Sequence, residues 1–384
     1  MPLKPSHRGM IPPFIVMDML RAANEYAATG RSVIHLEVGQ PGTSAPRAVL
    51  EAARRALGSD LLGYTDCGGV QVLRHLIAQL YSARYGVNIN DREVFVTTGS
   101  SAGLFLAFLA AFDPGDRVAF AVPGYPAYRN ILSALGFEPV LIPVGQSVRY
   151  QPHPDLLTNC GEIKGLIVAS PSNPTGAMIE PETLETLYRW CEDKGVRLIS
   201  DEIYHGITFD RPARTARGLG RNAIIINSFS KYFCMTGWRL GWLIVPEDLA
   251  RSVECLAQNF HISPPVLSQL AATFAFDCKA ELDEHVARYH RNRDILLHGL
   301  PRAGIKTFAP SDGAFYLYAD VSDLTHDSLD FCRRLLFETG VAIAPGVDFD
   351  PIEGATTIRF SFAGATSEME EAVARLVDWT AKNF

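Results

Sequence analysis

Two serines, a lysine and an arginine crowd one short stretch of this 384-residue chain: Asn227-Ser228-Phe229-Ser230-Lys231-Tyr232-Phe233-Cys234-Met235-Thr236-Gly237-Trp238-Arg239-Leu240-Gly241. Serine hydroxyls and a guanidinium hold a phosphate-like anion. A lysine between them can form a Schiff base with a carbonyl compound. Arg239 follows Lys231 by eight residues, so a tight turn brings both to one ligand. The preceding Ala223-Ile224-Ile225-Ile226 is β-branched and reads as a buried strand. Taken alone, Ser-x-Ser-Lys fits a solvated surface lysine equally well.

Other strand-like runs end in similar chemistry. Residues 94–98 lead into Gly99-Ser100-Ser101-Ala102-Gly103, a small-residue turn before an apolar helix at 104–112. Free N–H groups at such a helix start attract an anion, although an ordinary cap looks the same. Residues 117–122 end at Pro123-Gly124-Tyr125-Pro126-Ala127-Tyr128. Aromatic rings stiffened by prolines suit stacking on a planar ligand, or simple core packing beside a turn. Residues 165–169 end at Ser170-Pro171-Ser172-Asn173-Pro174-Thr175-Gly176, where flanking prolines restrict the backbone at Asn173. Residues 196–200 end at Asp201-Glu202-Ile203-Tyr204. A carboxylate at the end of a buried strand needs a partner; a protonated ring nitrogen, a salt bridge or a cap would serve. Residues 33–38 run into Gly39-Gln40-Pro41-Gly42, either a plain turn or a place where backbone approaches a ligand. Gly63-Tyr64-Thr65-Asp66-Cys67-Gly68-Gly69 is a loop presenting a tyrosine.

The elements that position these residues alternate. Helical periodicity covers residues 14–28, 46–57, 70–85 and 181–194, with strands between them from about 46 to 280. That order predicts an α/β fold, a doubly wound and mostly parallel sheet with ligands bound beyond the carboxyl ends of its strands. Ser100, Tyr125, Asn173, Asp201, Ser228 and Lys231 all fall there, which a solvated-surface reading does not explain. Beyond residue 280 the composition is more charged. A helix at 281–297, strands at 313–318 and 357–362 and a closing helix at 366–382 predict a smaller α+β domain. The expected boundaries are 1–45 for an arm and part of the small domain, 46–280 for the large domain and 281–384 for the rest of the small one. Arg359, mid-strand, is expected to pair with a carboxylate or point outward. The proline-containing arm at 1–13 is expected to dock, a second subunit being one possible surface.

Composition narrows the class. Hydrophobic residues make up 47% and charged residues 20%, as in soluble globular proteins. A net charge of −7 argues against nucleic acid or an anionic membrane as the main partner. Seven scattered cysteines have no metal-type spacing and read as reduced thiols in a cytoplasmic protein. Cys234 reads as a packing residue and His75 as a helix-surface one. No leader-like segment is expected, nor any stretch of roughly 20 apolar residues able to span a bilayer.

Assembled, these motifs resemble the class I/II aminotransferases, pyridoxal 5′-phosphate enzymes of fold type I (the aspartate aminotransferase superfamily). The likeness extends over nearly the whole chain. Ser228-Phe229-Ser230-Lys231 with 235–241 is similar to the family's cofactor-lysine signature; Asn173-Pro174-Thr175-Gly176 and Asp201-Glu202-Ile203-Tyr204 match two further motifs in order. The resemblance implies that Lys231 carries pyridoxal phosphate as a Schiff base and shuttles the proton in a ping-pong exchange between an L-amino acid and a 2-oxo acid. It implies that Asp201 pairs with the pyridine nitrogen, that Asn173 and Tyr204 bond the phenolic oxygen, and that Tyr125 stacks on the ring. Ser100, Ser101, Ser228, Ser230 and Arg239 would hold the phosphate. Arg359 would grip the substrate α-carboxylate, near the backbone of Gly39. Tyr64 would reach the phosphate of a neighbouring subunit, implying a homodimer with shared sites. No metal is implied. Residues 39–46 lack the aspartate–phenylalanine pair common in relatives, and no second arginine suits a dicarboxylate, which points to a neutral aliphatic or aromatic donor. A β-lyase or synthase on the same scaffold shares these motifs. So does a non-catalytic regulator, although such regulators carry an added DNA-binding domain that 384 residues would not accommodate.

Overall fold

The structure is a computed structural model that describes residues 3–384. The first two residues of the expected arm lie outside it.

A seven-stranded sheet forms the centre. Its spatial order is Val94–Thr97, Gly241–Ile244, Ile224–Ser228, Arg197–Asp201, Gly165–Ala169, Arg117–Val122 and Glu138–Pro143. Gly241–Ile244 runs antiparallel to both neighbours and the other pairings are parallel. The interior strands are buried on both faces, which is why they read as unbroken Ile, Val and Leu runs. Helices Gly99–Ala111, Pro126–Leu135 and Pro181–Lys194 are among those linking the strands. The strands Glu138–Pro143 and Gly241–Ile244 have no counterpart in the sequence reading.

A second sheet is antiparallel, in the order Ala344–Pro345, Thr357–Ser361, Tyr316–Asp320 and Thr307–Phe308. Helices Lys279–Gly299, Ser328–Thr339 and Thr366–Asn383 accompany it in sequence. Asn292, on the long helix, donates to the carbonyls of Phe362 and Gly364 at 3.0 Å each, fastening the helix to the end of this sheet. The early strand is shorter than expected. Only Ile34–His35 pairs, in parallel with Val341–Ala342. That pairing tethers residues 34–39 to the late part of the chain.

One boundary differs in a way that matters to the site. The sequence placed Gly99-Ser100-Ser101-Ala102-Gly103 in a turn, whereas the helix begins at Gly99 and runs to Ala111. Small residues weaken a helix interior, but the first turn tolerates serine, whose side chain can bond the free N–H groups there. The serines are therefore part of the helix N-terminus rather than a loop ahead of it.

Candidate active site

Lys231 ends a rigid knot of backbone. Phe229 N–H donates to Leu240 C=O at 3.0 Å, Met235 N–H to Phe229 C=O at 3.0 Å, and Thr236 Oγ1 to Ser230 C=O at 2.7 Å. The Phe229 ring anchors the knot between Phe233, Trp242 and Phe276, with centroids 5.0 to 5.8 Å apart. Aromatic burial of this kind holds a turn in one conformation. Lys231 Nζ consequently projects across to the Gly39 carbonyl, to which it donates at 2.5 Å. It faces a cavity of about 500 Å3 at the ends of the central strands.

The cavity gathers Ser100, Ser101, Tyr125, Asn173, Asp201, Tyr204, Ser230, Lys231, Arg239, Gly39 and Arg359. Two of the expected residues lie elsewhere. Ser228 is buried behind the lining; its hydroxyl donates to Leu240 C=O at 3.1 Å and lies 2.9 Å from Ser230 Oγ. Tyr64 is 83% exposed and away from the cavity of its own chain.

Charge is distributed unevenly. Lys231, Arg239 and Arg359 face one carboxylate, Asp201. Burial, then the charges of Arg359 and Arg239, lowers the Lys231 pKa to about 8. Burial raises that of Asp201 to about 6, against the hydrogen bonds from Tyr128 and the Ile203 N–H and the charge of Lys231. Tyr128 Oη donates to Asp201 Oδ2, and Ile203 N–H to Oδ1 at 3.1 Å. Burial also pushes the Tyr125 phenol up to about 12, so Tyr125 is neutral at ordinary pH.

Arg239 lies at the start of helix Gly99–Ala111. Its Nη1 donates to Thr236 C=O at 3.0 Å. Gly99 has φ +74°, and a Cβ there would overlap the guanidinium. Glycine thus serves both the left-handed backbone and the close approach of the arginine.

Arg359 does not point outward, and its hydrogen-bond partners within the described residues are not carboxylates. It is 1% exposed and donates to two carbonyl oxygens, Asn173 Oδ1 at 2.8 Å and Glu37 C=O. Its guanidinium lies 4.4 Å from the Tyr316 ring centroid and 4.6 Å from that of Phe349. Its direct hydrogen-bond acceptors are neutral, the nearby buried carboxylate of Asp348 acts on it only through space, and its guanidinium still faces the cavity, where it could meet an anion.

Several lining residues escaped the sequence reading. Tyr316 Oη lies 2.7 Å from Tyr204 Oη, and a Cβ on Gly39 would overlap the Tyr316 hydroxyl. Tyr128 belonged to the aromatic segment already singled out, and its spacing of three from Tyr125 was a usable signal. The apolar wall of Phe14, Val16, Met17, Leu20 and Leu104 had none, because most of it comes from one ordinary-looking helix far in sequence from the strand-end motifs that line the rest of the cavity.

Among the described residues no cluster of His, Cys, Asp or Glu suits a metal, and no helix is long and apolar enough to cross a membrane.

Comparison with known proteins agrees with this chemistry. The model of the family described as aminotransferase class I and II matches residues 31–376. The chain is similar to a valine–pyruvate aminotransferase of Mycobacterium tuberculosis, 52% identical over 97% of each chain. It also resembles a (5-formylfuran-3-yl)methyl phosphate transaminase of Methanocaldococcus jannaschii, 32% identical over 96% of this chain and 97% of the other. The crystal structure of an aminotransferase from Mycobacterium tuberculosis superposes with TM-score 0.97 at 51% identity, covering 99% of this chain and 100% of that one. The Thermus thermophilus aspartate aminotransferase with maleate gives 0.93 at 30% identity, over 98% and 100%. A half-buried lysine of lowered pKa facing a strand-end cavity is consistent with amino-group transfer, and the chain belongs to the class I and II aminotransferases, enzymes that exchange amino groups between amino acids and 2-oxo acids.

Proposed function

We propose that the protein transfers the amino group of a neutral aliphatic L-amino acid to a small 2-oxo acid such as pyruvate, with pyridoxal 5′-phosphate on Lys231. The wall that would meet the substrate side chain carries this reading. Phe14, Val16, Met17, Leu20 and Leu104 offer no charge, and among the described residues the arginines lining the cavity are Arg239 and Arg359. Both have other work: one stands at the helix N-terminus, the other beside Asn173. Among the described residues of one chain, no further arginine lines the cavity for a side-chain carboxylate, which argues against dicarboxylic donors. The name of the Mycobacterium tuberculosis relative supports the same class.

The donor set fits the cofactor. Arg239 and the first turn of helix Gly99–Ala111, with Ser100 and Ser101, would hold a phosphate, and Ser230 borders the same space. Ser228 would act by fixing Ser230. Tyr125 would lie on the ring face. Asp201, buried and lacking a close cation other than Lys231, would stabilise a protonated ring nitrogen. Tyr204 would bond the phenolic oxygen, as would the Asn173 Nδ2, since Oδ1 is committed to Arg359. When bound, pyridoxal phosphate supplies the sink for the electron pair released at the substrate Cα. Lys231 would hold it covalently and, once displaced by the substrate amine, would take the Cα proton as a neutral amine and later give a proton back. Arg359 clamps the α-carboxylate, its Nε being buried with no partner among the described residues, and so aims the Cα–H bond at Lys231.

We further propose domains at 46–280 and 281–384, the latter joined by 1–45, closing on each other over the cavity. We also propose a homodimer in the cytoplasm. Tyr64, exposed beside exposed Leu61, would reach the partner's phosphate site; the seven cysteines, all unpaired, suit a reducing compartment. Steady-state turnover with pyruvate and a donor panel tests the activity: valine and its aliphatic neighbours are expected to exceed aspartate and glutamate by at least about tenfold in kcat/KM, and preference for the acidic donors would refute the reading.

A further inference from the structure

We propose that Asp348 is a positioning residue for side-chain specificity: it fixes the first turn of helix Ile15–Ala28 as the apolar wall of the active-site cavity. The proposal deepens the aliphatic-donor reading and rests on it for the identity of the donor.

That helix begins without help from its own sequence. Its N-cap is Phe14, whose side chain caps nothing. The first N–H groups of a helix need acceptors from somewhere. Asp348 supplies them from more than 300 residues away: Ile15 N–H donates to Oδ1 at 3.2 Å and Val16 N–H to Oδ2 at 2.9 Å. A carboxylate at this end of a helix also meets the favourable end of its dipole. Asp348 is 1% exposed, so the clamp is shielded from competing water. Burial raises its pKa, while those two N–H bonds and the charges of Arg359 and Arg129 oppose the shift.

The clamp sits between the parts that do the chemistry. Val16 packs in one apolar cluster with Tyr318, Ala344 and Phe349, and Phe14 packs against that cluster. Phe14 also meets the Tyr125 ring edge-on, centroids 5.8 Å apart. Phe14, Val16, Met17 and Leu20 then face the cavity that holds Lys231. On the same loop as Asp348, Phe349 lies under the Arg359 guanidinium, and its carbonyl accepts from Gly124 N–H at 3.0 Å, one residue from Tyr125. Residues 348 and 349 therefore tie three things together: the carboxylate-binding arginine, the loop carrying Tyr125 and the wall against the substrate side chain. Loosening Asp348 frees the wall while leaving Lys231, Asp201 and Arg239 in place.

The test uses the full-length holoenzyme, Asp348→Ala and Asp348→Asn, and kcat/KM for alanine, 2-aminobutyrate, valine and leucine. The ratio of valine to alanine is expected to fall about tenfold in Asp348→Ala, in line with the loss of a helix cap, mainly through a higher KM for valine. Asp348→Asn keeps one acceptor and is expected to fall between. The visible absorption of bound cofactor should be unchanged, and amide exchange at Ile15 and Val16 should accelerate. An unchanged ratio despite faster exchange overturns the proposal, as does an equal loss of kcat for all four donors, which marks a purely structural role. Should Asp348→Ala not fold, Asp348→Asn and Met17→Ala read the same ratio. Should the wild type prefer another class of donor, the aliphatic reading fails separately, and the preferred donor replaces valine in the ratio that tests Asp348.

Discussion

Replacing Arg359 with lysine keeps the charge and removes the fork. Arg359 donates through Nη1 to Asn173 Oδ1 at 2.8 Å and through Nη2 to Glu37 C=O, and is stacked between Tyr316 and Phe349. These contacts hold the guanidinium plane before a substrate arrives. A lysine would lack the planar face for both rings and could not present two parallel N–H donors to a carboxylate. One charge-assisted hydrogen bond of roughly 1.5–3 kcal/mol would be lost from the bound state. That corresponds to about 10- to 150-fold in kcat/KM for every α-amino acid, irrespective of its side chain. The loss should appear in KM through weaker carboxylate binding and in kcat through poorer aim of the Cα–H bond at Lys231, while Lys231 and Asp201 themselves are untouched. Steady-state kinetics with several donors, a cofactor titration and a melting curve measure the three quantities separately. Arg359→Lys within about twofold of wild type for all donors would refute the reasoning. So would a loss confined to one side-chain class.

Further consequences concern protons and close contacts. The Lys231 pKa is lowered to about 8 by burial and the two arginines, and only the neutral amine attacks a carbonyl. The rate of pyridoxal phosphate attachment to cofactor-free protein should therefore rise about tenfold per pH unit below 8 and level off above it; a rate still climbing at pH 10 would show an unshifted lysine. Asp201→Asn removes a buried carboxylate and should lower kcat at least tenfold, with little change in amino acid KM; this is measured by saturating kinetics. Gly39→Ala places a Cβ on the Tyr316 hydroxyl and should cost at least about tenfold in kcat/KM, partly restored in the double variant with Tyr316→Phe, a cycle that tests direct contact.

The site was more legible in the sequence than the structure that surrounds it. Lys231, Asp201, Asn173 and Ser100 each follow a β-branched or apolar strand, and the carboxyl ends of parallel strands share one edge of a sheet. Local pattern therefore located them without any knowledge of strand order. Pairings between distant segments left no such trace. The clamp of Asp348 on Ile15 and Val16 spans most of the chain, and neither end looks unusual by itself. The acceptors of Arg359 within the chain, an amide oxygen and a backbone carbonyl from two other segments, were not visible in the local pattern. Gly241–Ile244 was missed because a strand of four residues directly after a signature loop has too little length to show a period. The early helix start at Gly99 was hidden by propensity, since glycine and serine read as turn formers.

The most direct test of the account is the visible spectrum of the purified protein with pyridoxal phosphate, titrated with valine and then with pyruvate, alongside Lys231→Ala. Lysine-bound cofactor should give a band that valine removes and pyruvate restores, and Lys231→Ala should show no such band. A band that valine leaves unchanged, or one that survives the loss of Lys231, would contradict the account.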